Sequence, residues 1–199
     1  SVIELLDKNA ETVDFVADYE KKKDEPYADT IGEDLSAGKI PELLQWDERW
    51  GYAPYGTGIV ATSGCGPTCM AMVAAGLNQD ASITPAKVAA YGTEHGYVDE
   101  ENNTYWRFME EAGANWNLNS YGGMLSEEQV SAELAQGHPI ICSMGPGDFT
   151  QIGHFIVLTG YENGNVKVND PFSIKNTNAV WSFAGIKDQI KAMWVFSKK

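Results

Sequence analysis

The sequence predicts an α+β domain, with helices first and antiparallel strands afterwards. Three observations carry that reading. Apolar residues recur at helical spacing in several segments before Gly137. Short apolar runs bounded by Gly, Pro and Asn take over from Pro139 onward. A chain of 199 residues that is 43% hydrophobic has enough material for one packed domain and an extension.

Val2, Leu5, Leu6, Val13, Val16 and Tyr19 fall on helical spacing, so residues 2–20 read as one amphipathic helix or two, docked on the domain away from Cys65, the alternatives being a pro-segment across the groove or a spacer to an anchor. Lys21 to Asp34 is charged and aperiodic and reads as a linker or strap. The division expected is therefore a helical extension and acidic linker over 1–39 and a domain over 40–199. Ile40 to Trp50 resumes an apolar and aromatic pattern, and Gly51 to Gly64 is rich in turn residues. A helix follows Cys65, with Gly76 placed to end it. Thr84-Pro85 opens the next as N-cap and first helical residue. Tyr105 to Ala112 reads as a third. Ser126-Glu127-Glu128-Gln129 has the form of a capping box, and Gly137 follows the helix it opens. Pro139 to Met144 is then a buried strand, His154–Tyr161 and Val166–Asp170 a hairpin around Asn163-Gly164, and Ala192–Phe196 a last strand.

Ser63-Gly64-Cys65-Gly66-Pro67-Thr68 delivers a cysteine to the first turn of an apolar helix. There the macrodipole and the free backbone N–H groups lower a thiol pKa and favour the thiolate. The same pattern also suits a buried structural thiol, the role expected of Cys69 one turn later. A nucleophilic cysteine needs a base and a group that orients it. Of three histidines, His138 lies in a connection and His95 in a polar loop, while His154 opens an apolar strand. His154 is therefore the best base. Asp170 closes the partner strand, where an aspartate before proline is also an ordinary turn pair. A two-residue Asn163-Gly164 turn would set His154 and Asp170 on opposite faces. A three-residue Glu162–Gly164 loop would pair Tyr161 with Asn165 and set them diagonally on one face, roughly 7–8 Å apart at the backbone, so this is the loop expected if Asp170 orients His154. Being at a strand end, Asp170 is expected to tolerate alanine with little loss of fold.

Taken in order, Gln45-Trp46-Asp47, Arg49-Trp50-Gly51, Gly64-Cys65-Gly66-Pro67-Thr68, Gly153-His154-Phe155-Ile156-Val157-Leu158 and Val168-Asn169-Asp170-Pro171 resemble the bacteriocin-processing (double-glycine leader) peptidase-like group of papain-like cysteine peptidases. The resemblance spans about residues 40–199. It implies a papain-like fold with Cys65 as nucleophile, His154 as base, Asp170 as orienting group and Gln45 as oxyanion donor. Papain-like enzymes usually keep that glutamine close before the cysteine. Here twenty residues separate Gln45 from Cys65, so an insertion must loop out. No transporter is attached to the chain, so the leader-peptide role of the best-known relatives does not carry over automatically. The group also implies a bacterial, exported or surface-associated protein acting on peptide or protein substrates, with cytoplasmic residence left open; because the chain begins at a serine, the lack of a signal peptide weighs little on compartment.

The remaining composition narrows the function class. The net charge of −14 is spread along the chain, with eleven acids against five bases in 1–40 and seventeen against nine in 41–199. No basic stripe invites nucleic acid or an anionic membrane surface. Cys65, Cys69 and Cys142 are an odd number and do not form a disulfide framework. Cys65 and Cys69 share a helix face, as metal ligands can, but without further ligands at matched spacing no metal or cofactor is expected. No apolar run approaches a membrane span. The expectation is a monomeric cysteine peptidase. Its alternatives are a non-catalytic interaction domain on the same fold and an amidase or acyltransferase acting on cell-wall peptides.

Overall fold

The fold is known from a computed structural model that describes residues 1–199. The first 22 residues form α1 (Glu4–Lys8), α2 (Val13–Ala17) and α3 (Tyr19–Lys22). Asn9, extended at φ −157°, separates the first two, and its Oδ1 accepts from Glu11 N–H at 3.0 Å. The break rotates the apolar stripe. Leu5 and Phe15 are buried and Thr12 is inaccessible, whereas Val13, expected to pack inward, is 52% exposed. Phe15 stacks on Tyr52 at 4.0 Å, and the Tyr52 hydroxyl donates to Phe15 C=O. The strap after α3 is docked as well, because Ile31 is fully buried in the main core.

A hairpin of β1 (Pro54–Tyr55) and β2 (Gly58–Ile59) leads through the single turn α4 (Val60–Ser63) into α5 (Cys65–Asn78). Residues Met70 to Ala75 of α5 have no accessible surface, so this helix is apolar all round and forms the centre of the domain. It does not end at Gly76. It runs to Asn78 and is closed by Gln79 in the left-handed conformation, φ 50°. Gly76 has another use: a Cβ there would lie 2.6 Å from Ile40 Cδ1, so the helix needs glycine to receive the crossing chain. The helix α6 (Pro85–Glu94) is capped by Thr84, whose Oγ1 accepts from Lys87 N–H. The short α7 (Trp106–Glu111) continues as a 3-10 turn to Trp116.

The strands β3 (Leu118–Gly122), β4 (Ile140–Met144), β5 (His154–Glu162), β6 (Asn165–Asn169), β7 (Trp181–Ser182) and β8 (Ile190–Lys198) form one antiparallel sheet, in the order β3-β8-β4-β5-β6-β7. Between them lie α8 (Glu127–Ala135), opened by the full Ser126–Gln129 capping box, α9 (Ile174–Asn178) and α10 (Phe183–Ile186). One sheet face meets α5 through Ile141, Phe155, Val157, Trp194 and Phe196. The other meets α8 through Cys142, Ile156, Leu158 and Val195. The alternation of single strands between two apolar cores follows from their period of two.

The β5–β6 hairpin differs from the three-residue loop expected. Glu162 pairs with Asn165, and Asn163 and Gly164 both have positive φ, 51° and 84°. That is a two-residue turn of the kind Asn-Gly favours. The shift of face comes instead from a bulge: Leu158 pairs with Val168 but Gly160 with Lys167, leaving Thr159 unmatched. Beyond it Val157 pairs with Asn169, so Asp170 follows on opposite Ile156, diagonal to His154. The bulge does what the longer loop was expected to do.

Candidate active site

The site lies where the N-terminus of α5 meets the first residue of β5 and the end of β6. Gly64 closes the turn of α4 with its N–H on Val60 C=O, and a Cβ there would lie 2.6 Å from that oxygen. Only glycine brings the chain so tightly into α5. Cys65 is the first residue of the helix, half-buried and free of disulfide. Its backbone N–H donates to no protein acceptor. Gly66 is pressed against Thr104, since a Cβ would lie 2.6 Å from Thr104 Oγ1.

His154 opens β5 opposite Met144, with only 9% of its side chain accessible. Its Nε2 bonds Asp170 Oδ1 at 2.7 Å, which leaves Nδ1 as the nitrogen for the sulfur. Burial opposes a charged imidazole, but the Asp170 carboxylate and the Cys65 sulfur outweigh it and raise the His154 pKa to about 10. Burial likewise pushes the Cys65 thiol up. His154, as hydrogen-bond partner and as charge, together with the N–H groups of Phe155 and Gly66, turns the balance and holds it below the usual thiol range. The other thiols behave oppositely. Cys69 and Cys142 are fully buried, and burial raises both well above the usual range.

Asp170 is 2% exposed and fully engaged. Oδ1 also accepts from Phe172 N–H at 2.8 Å, and Oδ2 accepts from Asn176 Nδ2 at 2.9 Å. Its own N–H donates to Thr177 Oγ1. Asn176 and Thr177 are site residues that the sequence did not single out. Their only signal was a polar helix following Asp170-Pro171.

Gln45 is 3% exposed and bridges the two sides of the site. Its N–H donates to Pro171 C=O at 2.7 Å, and its Nε2 donates to Ala61 C=O at 2.9 Å, four residues before Cys65. One amide hydrogen remains unused, and Oε1 has no partner. The twenty-residue separation is taken up by the turn at Trp50-Gly51, the β1–β2 hairpin and α4, which return the chain to Gln45. His95 and His138 are not part of the site. The first bonds Tyr91 C=O through Nδ1, and the second pairs with Glu133 at 3.0 Å.

The Peptidase_C39 like family model matches residues 39–199. The chain belongs to this family. It is thereby of the cysteine-peptidase type. Among solved structures, the C39-like fold is shared with the peptidase domain of Streptococcus ComA, a bifunctional ABC transporter of a quorum-sensing pathway: 18% identity, 69% of this chain and 93% of that one, TM-score 0.53. It is shared also with a C39-like peptidase candidate of Bacillus anthracis: 13% identity, 83% and 98%, TM-score 0.55. No curated protein matches the sequence. The C39-like match leaves α1 to α3 outside its span, and no helix of the chain is long and apolar enough to cross a membrane.

Proposed function

We propose that the protein hydrolyses peptide bonds through Cys65, His154 and Asp170, with Gln45 and the Cys65 N–H as oxyanion donors. The observation that carries this reading is the 2.7 Å pairing of His154 with Asp170 at the N-terminal end of the helix that Cys65 opens, and the opposite treatment of the three thiols in the chain agrees with it. Cys65 is held below the ordinary thiol range beside an imidazole raised to about 10, while Cys69 and Cys142 are driven up. A structural cysteine has no use for that difference.

In this mechanism His154 takes the Cys65 proton, the thiolate attacks the carbonyl carbon, and the carbonyl electron pair moves onto its oxygen. In this reading the Cys65 N–H and the free Gln45 amide hydrogen donate to that oxygen. When the tetrahedral intermediate collapses, the C–N bond breaks and His154 gives its proton to the leaving amine. Water then loses a proton to His154 and attacks the thioester. The second intermediate collapses with breakage of the C–S bond, the carboxylic acid departs, and the Cys65 thiolate is left beside the His154 imidazolium, ready for the next turnover. Asp170 keeps the ring oriented and favours imidazolium throughout. The ComA structure is a peptidase domain, and by that analogy the substrate is a peptide or protein.

Brief iodoacetamide treatment at neutral pH, read by mass mapping, tests the assignment. Cys65 should be labelled at least about tenfold faster than Cys69 or Cys142. A peptide library should show turnover that Cys65→Ala abolishes. Equal labelling of all three thiols, or turnover that survives Cys65→Ala, refutes the reading.

A further inference from the structure

The segment outside the family's span reaches the candidate site. Asn9 Nδ2 donates to Phe172 C=O at 2.7 Å. Glu11 places Oε1 on Ile174 N–H at 2.8 Å and Oε2 on Lys175 N–H at 3.0 Å, so it holds the first turn of α9 with both oxygens. Asn9 Nδ2 also reaches Glu11 Oε1 at 3.1 Å, which fixes the two side chains relative to each other. Thr12, just beyond, is inaccessible, and its hydroxyl donates to Asn9 C=O.

The inner side of the same loop holds Asp170. Phe172 is held from both directions: its N–H donates to Asp170 Oδ1, and its C=O accepts from Asn9 Nδ2 and, on the domain side, from Trp46 Nε1 at 2.8 Å. The helix that Glu11 grips carries Asn176, whose amide holds Asp170 Oδ2. Two short paths, hydrogen bonds joined by a few residues of chain, therefore run from the N-terminal segment to the two oxygens of one carboxylate. On either side of this contact the segment is anchored by Leu5 and Phe15, which pack with Tyr52 and Ala61; Ala61 is the residue whose carbonyl takes the Gln45 amide. A segment that served only to cover apolar surface would need Leu5 and Phe15 but neither Asn9 nor Glu11.

We propose that Asn9 and Glu11 are positioning residues of the active site, fixing the Asp170–Asn178 loop so that Phe172 N–H and the Asn176 amide hold the carboxylate that orients His154. The inference rests on the role given to Asp170 above. It makes the N-terminal segment a part of the peptidase site rather than a pro-segment to be removed. The titratable groups that face His154 are Asp170 from the end of β6 and Cys65 from α5; Cys69, beneath Cys65 on α5, also feels Asp170. A loosened loop acts on the pH profile through these groups alone.

The test uses the whole chain and the variants Glu11→Ala, Glu11→Gln, Asn9→Ala and Asn176→Ala, with kcat, KM and the rate of Cys65 alkylation followed against pH. Glu11→Ala should lower kcat about tenfold with KM nearly unchanged, since small misplacements of a catalytic group are costly. The alkaline limb of kcat should fall by about one pH unit, and the acid limb of alkylation should rise. Glu11→Gln keeps one acceptor for the loop and should recover part of both effects. Glu11→Ala added to Asn176→Ala should cost little more than Asn176→Ala alone, because both act through Asp170. Variants that fold and lose melting temperature while both limbs and kcat stay as in the parent overturn the inference and leave only docking. A parent protein without Cys65-dependent turnover, or with Cys65 no more reactive than the other thiols, overturns the reading of Asp170 along with it.

Discussion

Asp170→Asn is the perturbation that separates charge from shape at this site. Asp170 accepts three hydrogen bonds, from His154, Phe172 N–H and Asn176. An asparagine can keep its oxygen toward His154 and Phe172 and turn its amide to Asn176, whose own amide can flip to accept. The ring then stays oriented and the negative charge is gone. Burial alone pushes an imidazole below its ordinary 6.5, and the Asp170 carboxylate, with the Cys65 sulfur, raises it to about 10. Removal of the carboxylate charge should therefore bring the alkaline limb of kcat/KM down from about 10 by more than about one pH unit. The amide oxygen still accepts the ring N–H, and Cys65 still favours imidazolium, so part of the shift remains. At neutral pH turnover should drop on the order of 10²–10³-fold. The acid limb of Cys65 alkylation should rise, since a weaker imidazolium no longer draws the thiol down.

The same shift fixes a sign for stability. A histidine whose folded pKa lies above its unfolded value contributes stability that is complete below pH 6.5 and is lost as pH rises through about 10. Denaturant midpoints across that window should fall in the parent and fall less in Asp170→Asn. Asp170→Ala is the poorer probe. It strands a loop N–H and a side-chain amide, at about 1–3 kcal/mol for each buried group left unpaired. The tolerance expected of a strand-end residue is thus contradicted by its burial and its partners. Wild-type turnover with an unmoved alkaline limb in Asp170→Asn would refute the argument and leave a Cys–His dyad.

Two further outcomes are expected. Gln45→Ala should reduce kcat on the order of 100-fold with a smaller change in KM, as loss of one oxyanion donor does; an unchanged kcat in steady-state assays would show that the Ala61 contact is the residue's whole role. Phe15→Ala removes a ring that is 2% exposed and stacked on Tyr52, and should cost about 3–5 kcal/mol in chemical denaturation. A loss below about 1 kcal/mol would mean that the N-terminal segment frays independently of the domain.

What the sequence made legible was what depends on near neighbours. Ser126 and Gln129 cap α8 because the whole device lies within four residues, and Thr84-Pro85 opens α6 for the same reason. Cys65 was readable because glycine, cysteine and proline at a helix start are a local arrangement with a chemical consequence. The strand β3 was missed because it has one buried residue, Leu118, and so no alternation to detect. Gly76 was read as a helix end, though its reason lies 36 residues away in Ile40. Phe15 was overlooked in favour of Val13 because one regular helix was assumed across Asn9, and that residue breaks the helix to make a bond with Phe172, 163 positions distant.

The pairing of His154 with Asp170 shows how a correct outcome can hide a wrong cause. Counting residues from the turn demanded that something displace the register by one, and the turn itself seemed the place. Asn163-Gly164 keeps its preferred two-residue form, and the displacement occurs at Thr159, in the interior of β5, where one residue finds no partner. Turn residues report their own conformation and say nothing of a bulge four residues away. The parity of the two side chains constrains only the sum of all shifts between them. A bulge at Thr159 and a longer loop at Glu162 satisfy that sum equally, but they put different demands on the chain. The loop would have left the Asn-Gly dihedral preferences unused, while the bulge meets them and lets Ile156 and Leu158 stay on the face that packs against α8. The local preference of the turn and the burial of the strand thus agree on the solution that counting alone left open.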